Sequence, residues 1–139
     1  MKLRQLMRRV SQRYDTEVGK TGLRGTQYSL LAHVVKLGPV RPGDLARAMK
    51  IDASTLTRNL RPLIDAGWVT LDAGADGRSR LVSATDSGRE KRQEAQRRWR
   101  VAQESINETI GLKRVLALHA LIDDCMELLS PLPDGEDHE

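Results

Sequence analysis

Apolar residues recur at helical spacing along most of this chain, and the phase of each run indicates which side chains face a core. Over residues 2–19 the run is Leu3, Leu6, Met7, Val10, Tyr14 and Val18, with Arg4, Arg8, Arg9 and Arg13 elsewhere on the circumference, which predicts an amphipathic first helix. "GLRG" at 22–25 interrupts it. "TQYSLLAHVVKLG" at 26–38 is apolar enough for a mostly buried second helix, closed by Gly38-Pro39. "PGDLARAMK" at 42–50 opens with Pro at a tolerated first-turn position and predicts a third, short helix.

The next segment, "DASTLTRNLRPLIDAGWV" at 52–69, places Leu56, Leu60, Leu63 and Ile64 on one side of a helix and Ser54, Thr55, Thr57, Arg58 and Arg61 on the other. Asp52 is suited to cap its first amide groups. Pro62 removes one backbone hydrogen bond, so a bend or an end is expected near Ala66-Gly67. Surface helices usually mix charge signs, whereas this polar face carries cations and small hydroxyls, groups that suit phosphate oxygens and base edges. Two short helices separated only by "ID" form a helix-turn-helix pattern, whose second helix enters the major groove.

Alternation then replaces helical spacing. "WVTLDA" and "RLVSAT" are two strand-like runs separated by "GADGRS", whose Gly and Asp-Gly supply hairpin turn chemistry. Helix, turn, helix and hairpin in this order predict a winged helix. Arg78 stands at the hairpin tip, with Arg80 just behind it and Asp76 two residues before, so the ribbon carries a cation toward a minor groove or a phosphate.

Composition narrows the classes. The 139 residues include no Phe, so the core is mainly aliphatic, and the formal charge is +4. Four of the nineteen acids fall in the last nine residues, "PLPDGEDHE", where there is no Lys or Arg, which raises the net charge of residues 1–130 to +8. The body is basic and the tail, 131–139, is expected to be disordered. With no long apolar run, lipidation signal or leader, a cytoplasmic protein without a membrane partner is expected. Cys125 is the only cysteine, so no intramolecular disulfide forms; among Leu121, Ile122, Met126, Leu128 and Leu129 it is expected to be a buried, inert thiol.

From about Leu23 to Gly88 the chain resembles the multiple antibiotic resistance regulator (MarR) family of dimeric winged-helix transcription factors. The likeness rests on "QYSLL", "DLARAMKIDASTLTRNLRPLIDAGWV" and above all "DGRSRLVSATDSG", which is similar to the family's wing signature of Asp-x-Arg-x-Arg followed by a strand and Thr-x-x-Gly. The resemblance implies a homodimer on a pseudo-palindromic operator, usually repressing, with affinity often altered by a small phenolic or other effector. It also implies base and backbone contacts from Ser54, Thr55, Thr57, Arg58 and Arg61, with Arg78 in the minor groove and Asp76 fixing the wing tip. Two departures stand out. Arg24 occupies the place of a capping Thr, leaving Thr26 or Gly25 to cap the second helix, and Arg41 replaces a small hydroxyl before Pro42, which adds a phosphate contact.

A winged helix is complete by about Thr85, yet the chain continues. Residues 86–110 carry Ala95, Trp99, Ala102, Ile106 and Ile110 along one stripe, and 112–129 is apolar over a wide arc. With the helix at 2–19, these are read as a dimerisation region whose interface includes Leu6, Val10, Trp99, Ala102, Ile106, Leu118 and Ile122. Catalysis has little basis. There is no phosphate-cradling glycine loop or paired-Cys motif, and His33, His119 and His138 are scattered. His119 and Asp123 sit four apart but lack a third ligand, and His33 reads as a satisfied polar group, so neither metal nor cofactor is expected.

The reading is therefore a mainly α, winged helix-turn-helix protein with a two-stranded wing, a single domain over 1–130. Its winged helix spans about 23–88, and helices at about 2–19 and 86–129 form the dimerisation region. Its expected partners are duplex operator DNA, a second copy and a small-molecule effector. The competing reading, a winged-helix protein–protein module, calls for apolar residues exposed over 54–65, where this chain is polar and cationic.

Overall fold

The structure, a computed structural model, describes residues 1–74, 76–77 and 79–131. Among the described residues, six helices and one hairpin follow in the order α1 (Lys2–Gly19), α2 (Gly25–Leu37), α3 (Pro42–Met49), α4 (Ala53–Asp65), β1 (Val69–Ala73), β2 (Arg80–Ala84), α5 (Asp86–Ile110) and α6 (Leu112–Leu128). Of the expected tail at 131–139, residues 132–139 lie outside the described residues. The chain divides into two compact units, Met1–Ala102 and Gln103–Glu139.

The core of the first unit is aliphatic, as the absence of Phe requires. Leu30, Leu31 and Val34 of α2 meet Leu45 of α3, Leu56, Leu60 and Leu63 of α4, and Val69 and Val82 of the hairpin. All are buried, and each such side chain contributes about 1.5–3 kcal/mol relative to exposure. The leucines of α4 recur at four and then three residues, so one stripe of that helix is consumed by the core while the opposite stripe stays outside.

Helix ends follow local chemistry, with one correction. The N-cap of α2 is Arg24, not Thr26 or Gly25. Arginine has no acceptor with which to cap amide groups, but the Gln27 side chain reaches back and accepts from the Arg24 N–H at 2.9 Å, so the reverse arm of a capping box survives. Pro62 lies inside α4, which ends three residues later at Asp65.

β1 and β2 pair antiparallel from Val69 opposite Ala84 to Ala73 opposite Arg80. A third segment, which periodicity could not show, joins them. Val40 donates to the Val82 carbonyl at 3.0 Å and accepts from the Val82 N–H at 2.8 Å. Gly38 makes this approach possible, because a Cβ there would stand 2.6 Å from the Val34 oxygen and 3.1 Å from the Val82 oxygen.

The Thr-x-x-Gly sequence is a clasp between the hairpin and α5. The Thr85 N–H donates to the Trp68 carbonyl at 3.0 Å, and the Thr85 hydroxyl donates to the Gly67 carbonyl at 2.7 Å while accepting from the Gly88 N–H at 3.0 Å. Thr85 thus caps α5 and ties it to the turn after α4. Lys91 then donates to the Thr21 carbonyl at 3.0 Å, with its ammonium 5.2 Å from the centre of the Trp68 ring, which holds α5 against the end of α1.

In the second unit, Ile106 and Val115 are buried. Most of the rest of α6 is not covered: Leu118 is partly covered, while Leu112, Leu116, Leu121, Ile122, Met126 and Leu128 are all exposed. Cys125 lies on this uncovered surface, contrary to the expectation of burial, because apolar neighbours in sequence bury a thiol only when another element closes over them.

Candidate nucleic-acid interface

Asp52 organises the start of α4. Its carboxylate accepts from the Thr55 N–H at 2.7 Å and from the Ser54 hydroxyl at 2.7 Å. The Thr55 amide, then the Ser54 and Thr55 side chains, hold the Asp52 carboxyl down to about 2, with a smaller contribution from the Arg58 charge. The cap therefore remains ionised under all ordinary conditions.

Beyond the cap, Ser54, Thr57, Arg58 and Arg61 are exposed and Thr55 is half-covered. Thr57 turns its hydroxyl back to the Ala53 carbonyl at 2.9 Å. Arg58 is hydrogen-bonded to none of the described residues, while Arg61 Nε lies 3.4 Å from Asp65 Oδ1. The polar face is thus less purely cationic than its first turns imply. The pair is highly exposed on both sides, so it is worth at most about 1 kcal/mol and a phosphate or base edge can displace it.

The turn before α4 is held tightly. Lys50 adopts the left-handed conformation at φ +56°, and the Ile51 N–H donates to the Ala46 carbonyl at 3.0 Å. Arg41 is the N-cap of α3, exposed and without a capping side-chain bond, so its guanidinium is not committed to the helix end.

At the wing, Asp76 accepts from the Ser79 N–H at 2.9 Å and from the Ser79 hydroxyl at 2.9 and 2.8 Å, which closes the loop across its tip. Arg80 is exposed on β2. Arg78 lies outside the described residues. Sequence reasoning had no means of naming Ser79 as the Asp76 partner, although the Asp-x-x-Ser spacing is that of a side-chain-closed turn.

The residues assigned to a dimer interface separate into two groups. Leu6, Trp99 and Ile122 are 37–43% exposed, and Val10 and Leu118 are partly covered. Ala102 and Ile106 are instead 1% and 7% exposed, so the chain's own packing already takes them up and little of either is left for a partner. Trp99 stacks on Tyr14 with ring centroids 5.2 Å apart, an intrachain contact that the stripe on α5 did not reveal.

That ring pair borders a cavity of about 520 Å³ between α1, α2 and α5, lined also by Tyr28, His33 and Gln96. Partial burial pushes the Tyr14 hydroxyl upward in pKa. His33 is half-covered and its Nδ1 stands 2.7 Å from the Ser29 carbonyl, so Nδ1 carries the proton and donates. His119 and Asp123 are both exposed, and no cluster of three or more metal-ligating side chains occurs among the described residues. Among those residues, no helix is long and apolar enough to cross a membrane.

Comparison with known proteins agrees with this geometry. The model of the MarR family matches residues 21–79. YwoH, a helix-turn-helix-type transcriptional regulator of Bacillus subtilis, is 27% identical over 92 residues, covering 66% of this chain and 67% of that protein. MosR, a transcriptional regulator of M. tuberculosis whose crystal structure includes DNA, is 31% identical with a TM-score of 0.64, over 89% of this chain and 95% of that one. MarR of E. coli, at 21% identity, shares the fold with a TM-score of 0.69 over 89% and 96% of the two chains.

Proposed function

The chain belongs to the MarR family of winged-helix transcription regulators, DNA-binding proteins rather than enzymes, and from that premise we propose that it acts as a homodimeric repressor on a pseudo-palindromic operator. The observation that carries the reading is the outer face of α4. Ser54, Thr57, Arg58 and Arg61 all stand clear of the core, on a helix whose start is fixed by the Asp52 cap. Hydroxyls and guanidiniums on one face match the acceptor-rich edges of the major groove, and Arg in particular reads guanine O6 and N7 bidentately. Arg41 and Arg80 serve the phosphates, and Arg78 takes the minor groove from a wing held by Asp76.

Two further features support the finer points. The exposed leucines of α6, and separately Leu3, Leu6 and Met7 on α1, are more apolar surface than a monomer usually presents, and a second copy is the partner proposed to cover them. The cavity beside Tyr14 and Trp99 is the proposed seat of an effector that releases the operator. Such a protein acts where the chromosome is, in the cytoplasm.

Selection of bound duplexes from a random pool, with footprinting of the winners and sedimentation of the free protein, tests this. The expected result is a dimer protecting two half-sites whose centres lie about 10 bp apart, or a multiple of that. A monomer on a single asymmetric site overturns the proposal. Trp99→Ala is expected to weaken the dimer; an unchanged dimer would leave Trp99 a purely intrachain neighbour of Tyr14.

A further inference from the structure

Ser54, Thr57, Arg58 and Arg61 follow one another at helical spacing and form a single stripe along the outer side of α4. The arginines are pure donors, since a guanidinium has no acceptor. A hydroxyl can act either way until its proton is placed, and here both protons are placed. Ser54 Oγ stands 2.7 Å from Asp52 Oδ1, and Thr57 Oγ1 stands 2.9 Å from the Ala53 carbonyl oxygen. Neither partner has a proton to give: a carbonyl carries none, and the Asp52 carboxyl, held down to about 2 by the Thr55 amide and then by the Ser54 and Thr55 side chains, is ionised. Both hydroxyls therefore donate to their own helix and keep only lone pairs for anything outside.

What such an oxygen can meet on duplex DNA is restricted. Phosphate oxygens, guanine O6 and purine N7 are themselves acceptors, and two acceptors at hydrogen-bond distance repel. Each base pair, acceptor-rich as its major-groove edge is, also presents one exocyclic amino donor, N6 of adenine or N4 of cytosine. Residues near the start of a recognition helix are the ones that reach base edges. From this geometry we infer that Ser54 and Thr57 are specificity residues of opposite polarity to the arginines: their hydroxyl oxygens accept from the amino groups of adenine or cytosine, while Arg58 and Arg61 take the guanine acceptors. The inference rests on α4 being the recognition helix, and adds to it which bases the hydroxyls select and that phosphate is not their ligand.

The test uses the duplex selected by the unaltered chain. One symmetry-related pair at a time, adenine is replaced by purine, which lacks the N6 amino group, and cytosine by 2-pyrimidinone, which lacks the N4 amino group; 7-deazapurines, which lack N7, form the contrary series. Affinities at fixed salt are measured for the unaltered full chain, Ser54→Ala, Thr57→Val and Thr57→Ser, each variant checked for an unchanged fold by its amide spectrum. Each hydroxyl is expected to couple to one pair of amino groups. Their deletion weakens the unaltered dimer by roughly tenfold for its two bonds, and has no further effect once Ser54→Ala or Thr57→Val has removed the acceptor. Thr57→Ser, which keeps the oxygen, retains the response. Coupling of the hydroxyls to the 7-deazapurine series overturns the inference, as does a loss in Ser54→Ala and Thr57→Val that is equal on operator and unrelated duplex, because the hydroxyl then donates to a base or to phosphate. So does a full response to amino deletion in both variants. Arg58→Ala and Arg61→Ala in the same titrations separate two failures: arginines coupled to guanine beside uncoupled hydroxyls refute the polarity assignment alone, whereas no coupling at any of the four refutes α4 as the recognition helix as well.

Discussion

Gly88→Ala sets two physical effects against each other at one position. Helix propensity favours the change, since Ala is better than Gly inside a helix by about 1 kcal/mol. The structure opposes it. A Cβ on Gly88 would collide with the Trp68 carbonyl oxygen and stand 2.9 Å from its carbon, and both are backbone atoms that cannot rotate away. Restoring ordinary van der Waals separation requires moving α5 away from the start of the hairpin. Three hydrogen bonds cross or brace that junction: Thr85 to Trp68, Thr85 to Gly67, and Gly88 to Thr85. At about 1 kcal/mol each, their loss outweighs the propensity gain and leaves a net destabilisation of about 2 kcal/mol. Urea unfolding at a fixed protein concentration measures it, with Thr85→Val as the companion. That variant removes only the hydroxyl's two bonds and is expected to cost about 1–3 kcal/mol. A Gly88→Ala chain as stable as the original, or more stable, refutes the clasp as described.

The other predictions concern the wing, the cap and the flank of the interface. Asp76→Ala is expected to weaken operator binding, because the wing tip loses its bonds to Ser79, even though removing an acid near DNA acts the other way; tighter binding in a titration at stated salt would make Asp76 a bystander charge. Arg41→Ala is expected to weaken all duplexes alike and to lower the salt slope by roughly one unit for each phosphate that Arg41 neutralises. Asp52 has a folded pKa below its unfolded value, so its contribution to stability is present above about pH 4 and disappears as pH falls toward about 2. Asp52→Ala should therefore flatten the acid limb of the stability curve in that window, and an unchanged slope would show that the cap does not couple to folding.

The winged portion was legible because its signals are local. The leucine spacing of α4, Asp52 one residue before it, and Asp-Gly between two alternating runs each depend on neighbours within a few positions. What the chain concealed is set by contacts distant in sequence. Val40 pairs with Val82 across more than forty residues, and a lone valine after a proline has no periodicity to announce it. The stripe on α5 showed correctly that one side is apolar but not what covers it; Ala102 and Ile106 prove to be internal while Trp99 stacks on Tyr14. Cys125 failed for the same reason, since its neighbours were identified but not whether another element closed over them. At the interface, the residue types on α4 were readable, whereas the Arg61–Asp65 pair and the Asp76–Ser79 closure required coordinates.

The central claim is that the outer face of α4 reads sequence, and base preference measured on arginine variants tests it most directly. Bound-sequence selection is run side by side with the original chain, Arg58→Ala and Arg61→Ala. The account predicts that at least one variant loses discrimination at a single pair of symmetry-related positions, by about 1–3 kcal/mol per bidentate Arg–guanine pair, while the remaining positions keep their preferences. Unaltered preference at every position in both variants would contradict it.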